Sequence, residues 1–290
     1  MTESMRIYGL DFTSAPGRGK PLAIALCRLD TGKLVLEGFE TPESYAPLEE
    51  LLRSPGPWVM GCDFPFSQPA RLLREAPGHM LGLEWPVEWK RFLRLMGQLS
   101  PSELKTLMKT SPVDGRGVRE RKRLAGTAAN ACSPMHVDFP PVGLMFLAGA
   151  RLLAECPCAV VPQRMNGDSR LLFEVYPGVF AERFCGHKSY KEGPKHQQDE
   201  RAERRGAMLE AMCGGRFQEV YGFTVSFGED EARRMREDRK GDLLDSLICA
   251  VQAAWAWNRR NNNFGLPGPD LIDPDILAFE GWIMDPHCRA

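Results

Sequence analysis

Apolar and polar positions alternate in short blocks over the first part of the chain, and the blocks close on acids or turn residues. Met5–Phe12 reads as a strand ending on Asp11. The stretch Thr13–Gly19 behind it is broken by Pro16, Gly17 and Gly19, residues that interrupt regular structure. Leu22–Leu29 is a second apolar run, Asp30-Thr-Gly-Lys33 a tight turn, and Leu34–Phe39 a third strand. Three strands with connections this short predict an antiparallel meander, because a parallel crossover needs about a dozen residues.

The period then changes. Tyr45–Leu52 predicts a short helix, closed by Pro55-Gly-Pro57. Trp58–Phe64 predicts a further strand, ending on Asp63 with Pro65 behind it. A helix between strands implies a parallel return, which sets this strand beside the first. From Ser67 to about Asp168 the chain reads as mostly helical, cut by prolines at 69, 77, 86, 101 and 112. Its last helix, Pro141–Glu155, is strongly apolar and is expected on the core. No flexible linker bounds this stretch, so 67–168 is read as an insertion in one domain spanning 1–290. Arg170–Tyr176 returns to strand character and stops at Pro177-Gly178. A short helix Val179–Phe184, a basic loop His187–Lys195 and a charged helix Gln198–Cys213 follow. The last long helix, Asp242–Asn258, carries apolar residues at 243, 244, 247, 248, 251 and 254 on one stripe. The expected class is α/β.

Composition narrows the function classes. Hydrophobic residues at 43% and charged residues at 26% are ordinary for a globular protein. The net charge of −1 exerts no overall pull on polyanions, so a nucleic-acid partner would depend on local basic patches. Nine cysteines are scattered along the chain, and the only close pair, Cys156-Pro-Cys158, lacks the spacing of a zinc site. Reduced, mostly buried thiols are expected. No basic segment followed by an apolar run opens the chain. The longest apolar stretch, Val142–Ala150, falls short of the ~20 residues that span a bilayer. These features predict a cytoplasmic protein without a membrane partner.

The acids carry the chemistry. Asp11 and Asp63 close neighbouring apolar runs and Glu174 sits near the end of a third. In open α/β sheets, sites form at the carboxyl ends of strands. Each acid alone could merely order a turn; two on adjacent strands would face each other. Asp242 and Asp245 stand three apart at the start of the last helix and project from one face. The plain alternative is a helix cap at Asp242 and a favourable first-turn charge at Asp245. Four carboxylates meeting at one point would repel unless a cation is bound. Magnesium and manganese prefer such oxygen ligands, as one ion or as a pair at ~3.5–4 Å.

These residues match a known pattern. Gly9-Leu-Asp11-Phe-Thr13-Ser-Ala-Pro16, Gly61-Cys-Asp63-Phe-Pro65, Phe173-Glu174-Val-Tyr-Pro177, Gly241-Asp242-Leu-Leu-Asp245-Ser-Leu and Glu280-Gly-Trp-Ile283 keep their order over nearly the whole chain. Together they resemble a family of predicted nucleases with an RNase H-like fold, long catalogued as a domain of unknown function. The last helix is similar to that of RuvC-type resolvases. The resemblance implies a three-layer fold with a mixed five-stranded sheet, three strands antiparallel and two parallel, and helices on both faces. It also implies Asp11 as the central metal ligand, Asp63 on one metal, and Asp242 and Asp245 on the other or positioning water. Glu174 would contact substrate or a ligand from one shell out.

Candidate substrate contacts are basic or hydroxylic. Arg116, Arg119 and Arg123 belong to the densest basic run, Gly115–Arg123, which is either a solvated helix face or a phosphate contact from the insertion. Lys188 and Lys191 follow the Glu174 strand, interleaved with Tyr190. Thr13 and Ser14 stand just after Asp11, where hydroxyls could meet a phosphate. Gly17-Arg-Gly19-Lys20 lacks the spacing of a P-loop, and the histidines show no zinc spacing, although His187 falls near the expected site. The leading expectation is a nuclease or phosphodiesterase dependent on Mg2+ or Mn2+ and acting on DNA or RNA. One alternative is a non-catalytic nucleic-acid or protein binding module that keeps the fold. A sugar-kinase or actin-type phosphotransferase is disfavoured, because that core occurs twice and no second copy of the Gly-Leu-Asp-Phe-Thr pattern is present.

Overall fold

The chain is seen in a computed structural model that describes residues 4–75, 79–113, 115, 117–186 and 188–289. Its opening meander is β1 (Met5–Asp11), β2 (Ala23–Asp30) and β3 (Lys33–Glu40), antiparallel throughout. Helix α1 (Ala46–Arg53) then returns the chain to β4 (Trp58–Asp63), parallel to β1. Residues 67–168 hold α2 (Arg71–Glu75), α3 (Trp89–Gln98), α4 (Pro101–Lys109), α5 (Leu124–Ala128), α6 (Val142–Glu155) and the short β5 (Ala159–Val161). Next come β6 (Arg170–Glu174), α7 (Pro177–Cys185), α8 (Gln198–Met212), α9 (Gly215–Tyr221), β7 (Thr224–Ser226), α10 (Glu229–Glu237), α11 (Asp242–Asn258) and α12 (Pro274–Glu280).

The strands form one mixed sheet in the order β5-β6-β4-β1-β2-β3-β7. The expected five-stranded sheet is thereby corrected to seven among the described residues. The five expected strands are its centre, and β5 and β7 add a parallel strand at each edge. Each added strand has three residues, too few for alternation to register in a sequence pattern. The free side of β5 is already used, because Val160 and Arg164 exchange backbone hydrogen bonds of 2.9 and 2.6 Å. At the other edge the Cys213 thiol donates to the Val225 carbonyl of β7.

Side chains on a strand alternate between the faces of the sheet, and two cores result. Ile7, Val59 and Phe173 meet Leu247, Ile248 and Val251 of α11 on one face. Tyr8, Leu10, Met60 and Leu172 meet Phe92 and Leu93 of α3 and Phe146 and Leu147 of α6 on the other. The nine cysteines form no disulfide. Among the described residues no helix is long and apolar enough to cross a membrane.

One pair of glycines sets the depth of the first face. Gly9 and Gly61 are direct partners in the β1–β4 register. A Cβ on Gly9 would lie 1.9 Å from the Ser246 carbonyl oxygen and 2.3 Å from the Ala250 nitrogen; one on Gly61 would lie 2.3 Å from the Cys249 oxygen. Their bare backbones form a slot into which α11 sinks, and the first turn of α11 thereby reaches the carboxyl ends of β1 and β4.

Candidate metal centre

Asp11 and Asp63 end adjacent parallel strands and are Cα partners. Both share strand parity with the glycine slot, so their side chains point toward α11. Asp245, in the first turn of α11, completes a triad: one carboxylate oxygen from each of the three lies within 4.8 Å of the others. Asp11 is 8% exposed and Asp245 1%, whereas Asp63 and Asp242 are half-buried. A cavity of about 270 Å³ opens over them, lined by Asp11, Asp63, Asp242, Lys20, Lys191 and Tyr176 among others.

Capping does not account for Asp242. The N-cap of α11 is Gly241, whose φ of 77° lies in the left-handed region that favours glycine. The amide of Leu243 donates to Asp238 Oδ2 at 2.9 Å and that of Lys240 to Asp238 Oδ1 at 3.1 Å. Asp238 therefore meets the helix start and leaves the Asp242 carboxylate to the cavity.

The partners of the acids divide them. Asp245 belongs to the triad by distance, yet both its oxygens are taken. The Tyr190 hydroxyl donates to Oδ1 at 2.6 Å, and the Lys191 ammonium pairs with Oδ2. Among the described residues, no hydrogen bond or ion pair reaches the carboxylates of Asp11, Asp63 or Asp242. A buried carboxylate without a donor is costly unless a cation compensates. Burial pushes Asp11 well above the usual carboxylate range; Asp245, Asp242 and Asp63 push it further, and Lys191 opposes them. Burial likewise carries Asp63 up to about 7, against the pull of Lys191 and with added repulsion from Asp245 and Glu174. Asp242 is raised by burial and by Asp238. Burial works against the Lys191 ammonium, but Asp245, Tyr190 and Asp11 outweigh it and hold its pKa well above the ordinary value. An all-oxygen set with orphaned, buried donors fits a hard divalent ion such as Mg2+ or Mn2+.

Glu174 has the opposite parity. Its Cα partner is Cys62 rather than Asp63, so its side chain leaves the sheet on the side of α3 and α6. There it accepts from both terminal nitrogens of Arg123, at 2.7 Å from Nη1, and from the Phe66 amide at 2.9 Å. Arg123 Nη1 also donates to the Glu280 carbonyl at 2.7 Å, and the Glu280 carboxylate accepts from the amides of Ala70 and Leu124, each at 2.7 Å. Glu174 and Arg123 are each 3% exposed at the side chain. They border the cavity as a buried ion pair that ties the insertion to β6 and the chain's last helix.

The other expected contacts are dispersed. Arg116 and His187 lie outside the described residues. Arg119 and Lys188 are exposed and are not among the residues lining the cavity. Thr13 is buried, with its carbonyl accepting from the Tyr45 hydroxyl at 2.8 Å. Ser14 lines a different cleft, of about 340 Å³, with Tyr45, Arg151 and Cys156. Among the described basic candidates, Lys191 alone pairs with an aspartate of the cluster, and Arg123 pairs with Glu174. Two residues of the site were not singled out from the sequence, Lys20 and the hydroxyl of Tyr190. The only sequence signal for Lys20 is its place in the connection that follows Asp11, where Gly17 and Lys20 pair through a backbone bridge. No match is found among protein-family profiles, curated proteins or solved structures.

Proposed function

We propose that this chain is a divalent-metal-dependent nuclease or phosphodiesterase acting on DNA or RNA, built on an RNase H-like core. The observation that carries the reading is the pair Asp11 and Asp63, side by side at the ends of parallel strands, buried or half-buried and without hydrogen-bond donors. The central order β6-β4-β1-β2-β3, three strands antiparallel and then two parallel, supports the fold assignment.

Asp11 and Asp63 would hold the ion, with Asp242 at the cavity rim as a further oxygen donor. A bound Mg2+ or Mn2+ supplies Lewis-acid stabilisation of charge developing on a phosphodiester and lowers the pKa of water. Lys20 and Lys191 place positive charge on the cavity wall, where a phosphate would otherwise meet only carboxylates. Tyr190 fixes the Asp245 carboxylate through its short hydrogen bond. Asp242 stands free to orient or accept a proton from a water nucleophile. The Arg123–Glu174 pair keeps the cavity floor rigid, which matters because misplacement by about 1 Å can cost on the order of 100-fold in rate.

The test is hydrolysis of single- and double-stranded DNA and RNA with Mg2+ or Mn2+, comparing the wild type with Asp11→Asn and Asp242→Asn. The wild type is expected to cleave, and Asp11→Asn to lose at least about 100-fold. Equal cleavage by wild type and both variants sinks the reading. The Lys191–Asp245 ion pair favours one second reading, since an internal cation could support the cluster without metal. A non-catalytic module of that kind would bind nucleic acid and give no metal-dependent product.

A further inference from the structure

Lys191 is anchored from several sides. Its neighbour Tyr190 is 7% exposed and packs beneath the start of α11, with its ring 3.2 Å from where a Gly241 Cβ would lie. Two buried arginines of α8 hold the surrounding backbone. Arg205 Nη1 donates to the Tyr190 carbonyl at 2.6 Å, and Arg201 Nη1 donates to the carbonyls of Lys191 and of Glu192, the latter at 2.8 Å. Arg201 is 8% exposed and Arg205 1%. Three successive carbonyls are thus tied to one helix, and the side chain between them is directed onto the acids. The Lys191 side chain is 44% exposed, so it is the fixed backbone, rather than burial, that keeps its ammonium on the acids.

The cluster also divides into two halves. Asp11 and Asp63 have no donors, whereas both oxygens of Asp245 are committed, one to Tyr190 and one to Lys191. A second metal ion on Asp245 would have to share an oxygen with the ammonium and meet its charge at close range, or displace it.

We propose that Lys191 is the built-in second cation of this site: the centre takes one divalent ion, on Asp11 and Asp63, and the Lys191 ammonium on Asp245 stands in the place of another. The inference rests on the metal-dependent reading above and specifies its stoichiometry. Lys191 is then a positioning residue, which holds Asp245 in place and keeps positive charge beside the phosphate without a second exchangeable ion.

The experiment is a titration of the full chain with Mn2+, following free ion by electron paramagnetic resonance and heat by calorimetry, with no substrate present. The wild type is expected to bind one ion per chain and Lys191→Arg also one. Lys191→Met and Lys191→Gln are expected to bind two, the first about tenfold more tightly than in the wild type because a neighbouring positive charge is gone. Two ions bound by the wild type would overturn this inference and leave the metal-dependent reading standing. One ion at unchanged affinity in a folded Met or Gln variant would overturn it as well. Absence of binding to the wild type would end both.

Discussion

At the scale of single residues, the consequence of three carboxylates without donors, Asp11, Asp63 and Asp242, is a stability that depends on pH. The Asp63 carboxyl is pushed from its ordinary 3.8 to about 7, and Asp11 and Asp242 move the same way. A group raised in the folded state contributes stability that is complete below its unfolded pKa and lost as pH rises through the folded one. With chelator present, the melting temperature is therefore expected to fall between about pH 4 and pH 7. Asp63→Asn should flatten that slope, and Mn2+ at pH 8 should restore the wild type by binding the folded form. A melting temperature that rises across this window, in wild type and variant alike, would contradict the account. Glu174 belongs to a separate chemistry. Glu174→Gln leaves the Arg123 charge buried without its partner, at a cost of about 3–5 kcal/mol. Mn2+ stoichiometry should be unchanged wherever that variant still folds, which denaturant unfolding and the titration together can read. The aspartates were legible in the sequence because an acid closing an apolar strand is unusual, and because positions three apart share a helix face; of the four expected to meet at one point, Asp11, Asp63 and Asp245 do so, and Asp242 lines the cavity outside that group. The environment of Glu174 was not legible, since it depends on whether β6 aligns residue 174 with residue 62 or with residue 63, and β6 is buried on both faces, so no alternation marks which way its residues point.

Elements rather than side chains decide how closely the acids approach. Helix α11 runs from Asp242 to Asn258, the bounds that its apolar stripe predicts, and its depth is governed by Gly9 and Gly61. Gly9→Ala would drive a methyl into the helix backbone, where nothing flexible can yield. Overpacking of this kind costs typically 1–3 kcal/mol and occasionally more; about 3 kcal/mol is expected here, with weaker Mn2+ binding because α11 carries Asp242 and Asp245 outward. Gly17→Ala has nothing within 4 Å of its new Cβ and serves as the neutral control in the same unfolding measurement. The glycines stood inside the matched sequence segments, but their purpose becomes apparent only when both strands and the helix are assembled. Long, strongly patterned elements could be read directly from the chain. The three-residue β5 and β7 could not, because their neighbours in the sheet, β6 and β3, create them.

Over the whole molecule, charge is nearly balanced at −1, so attraction for a polyanion depends on local basic groups, and those at the proposed site stand at the cavity. Lys20 and Lys191 are the lysines lining it. With two such contacts, the affinity for a single strand should fall with salt at a log–log slope of about −1.4. Fluorescence anisotropy with a labelled oligonucleotide across a salt series would measure this, and a slope several times steeper would mean that other basic surfaces bind. The two edges of the sheet have a different consequence. A peptide or a second chain can extend a sheet only where consecutive donors and acceptors are left open. Here each outermost strand is three residues long; Val160 is already bonded to Arg164, and the Val225 carbonyl is engaged by Cys213. Each outermost strand therefore offers at most three residues to an added strand, with its central residue already engaged, so β5 and β7 are poor templates for extending the sheet.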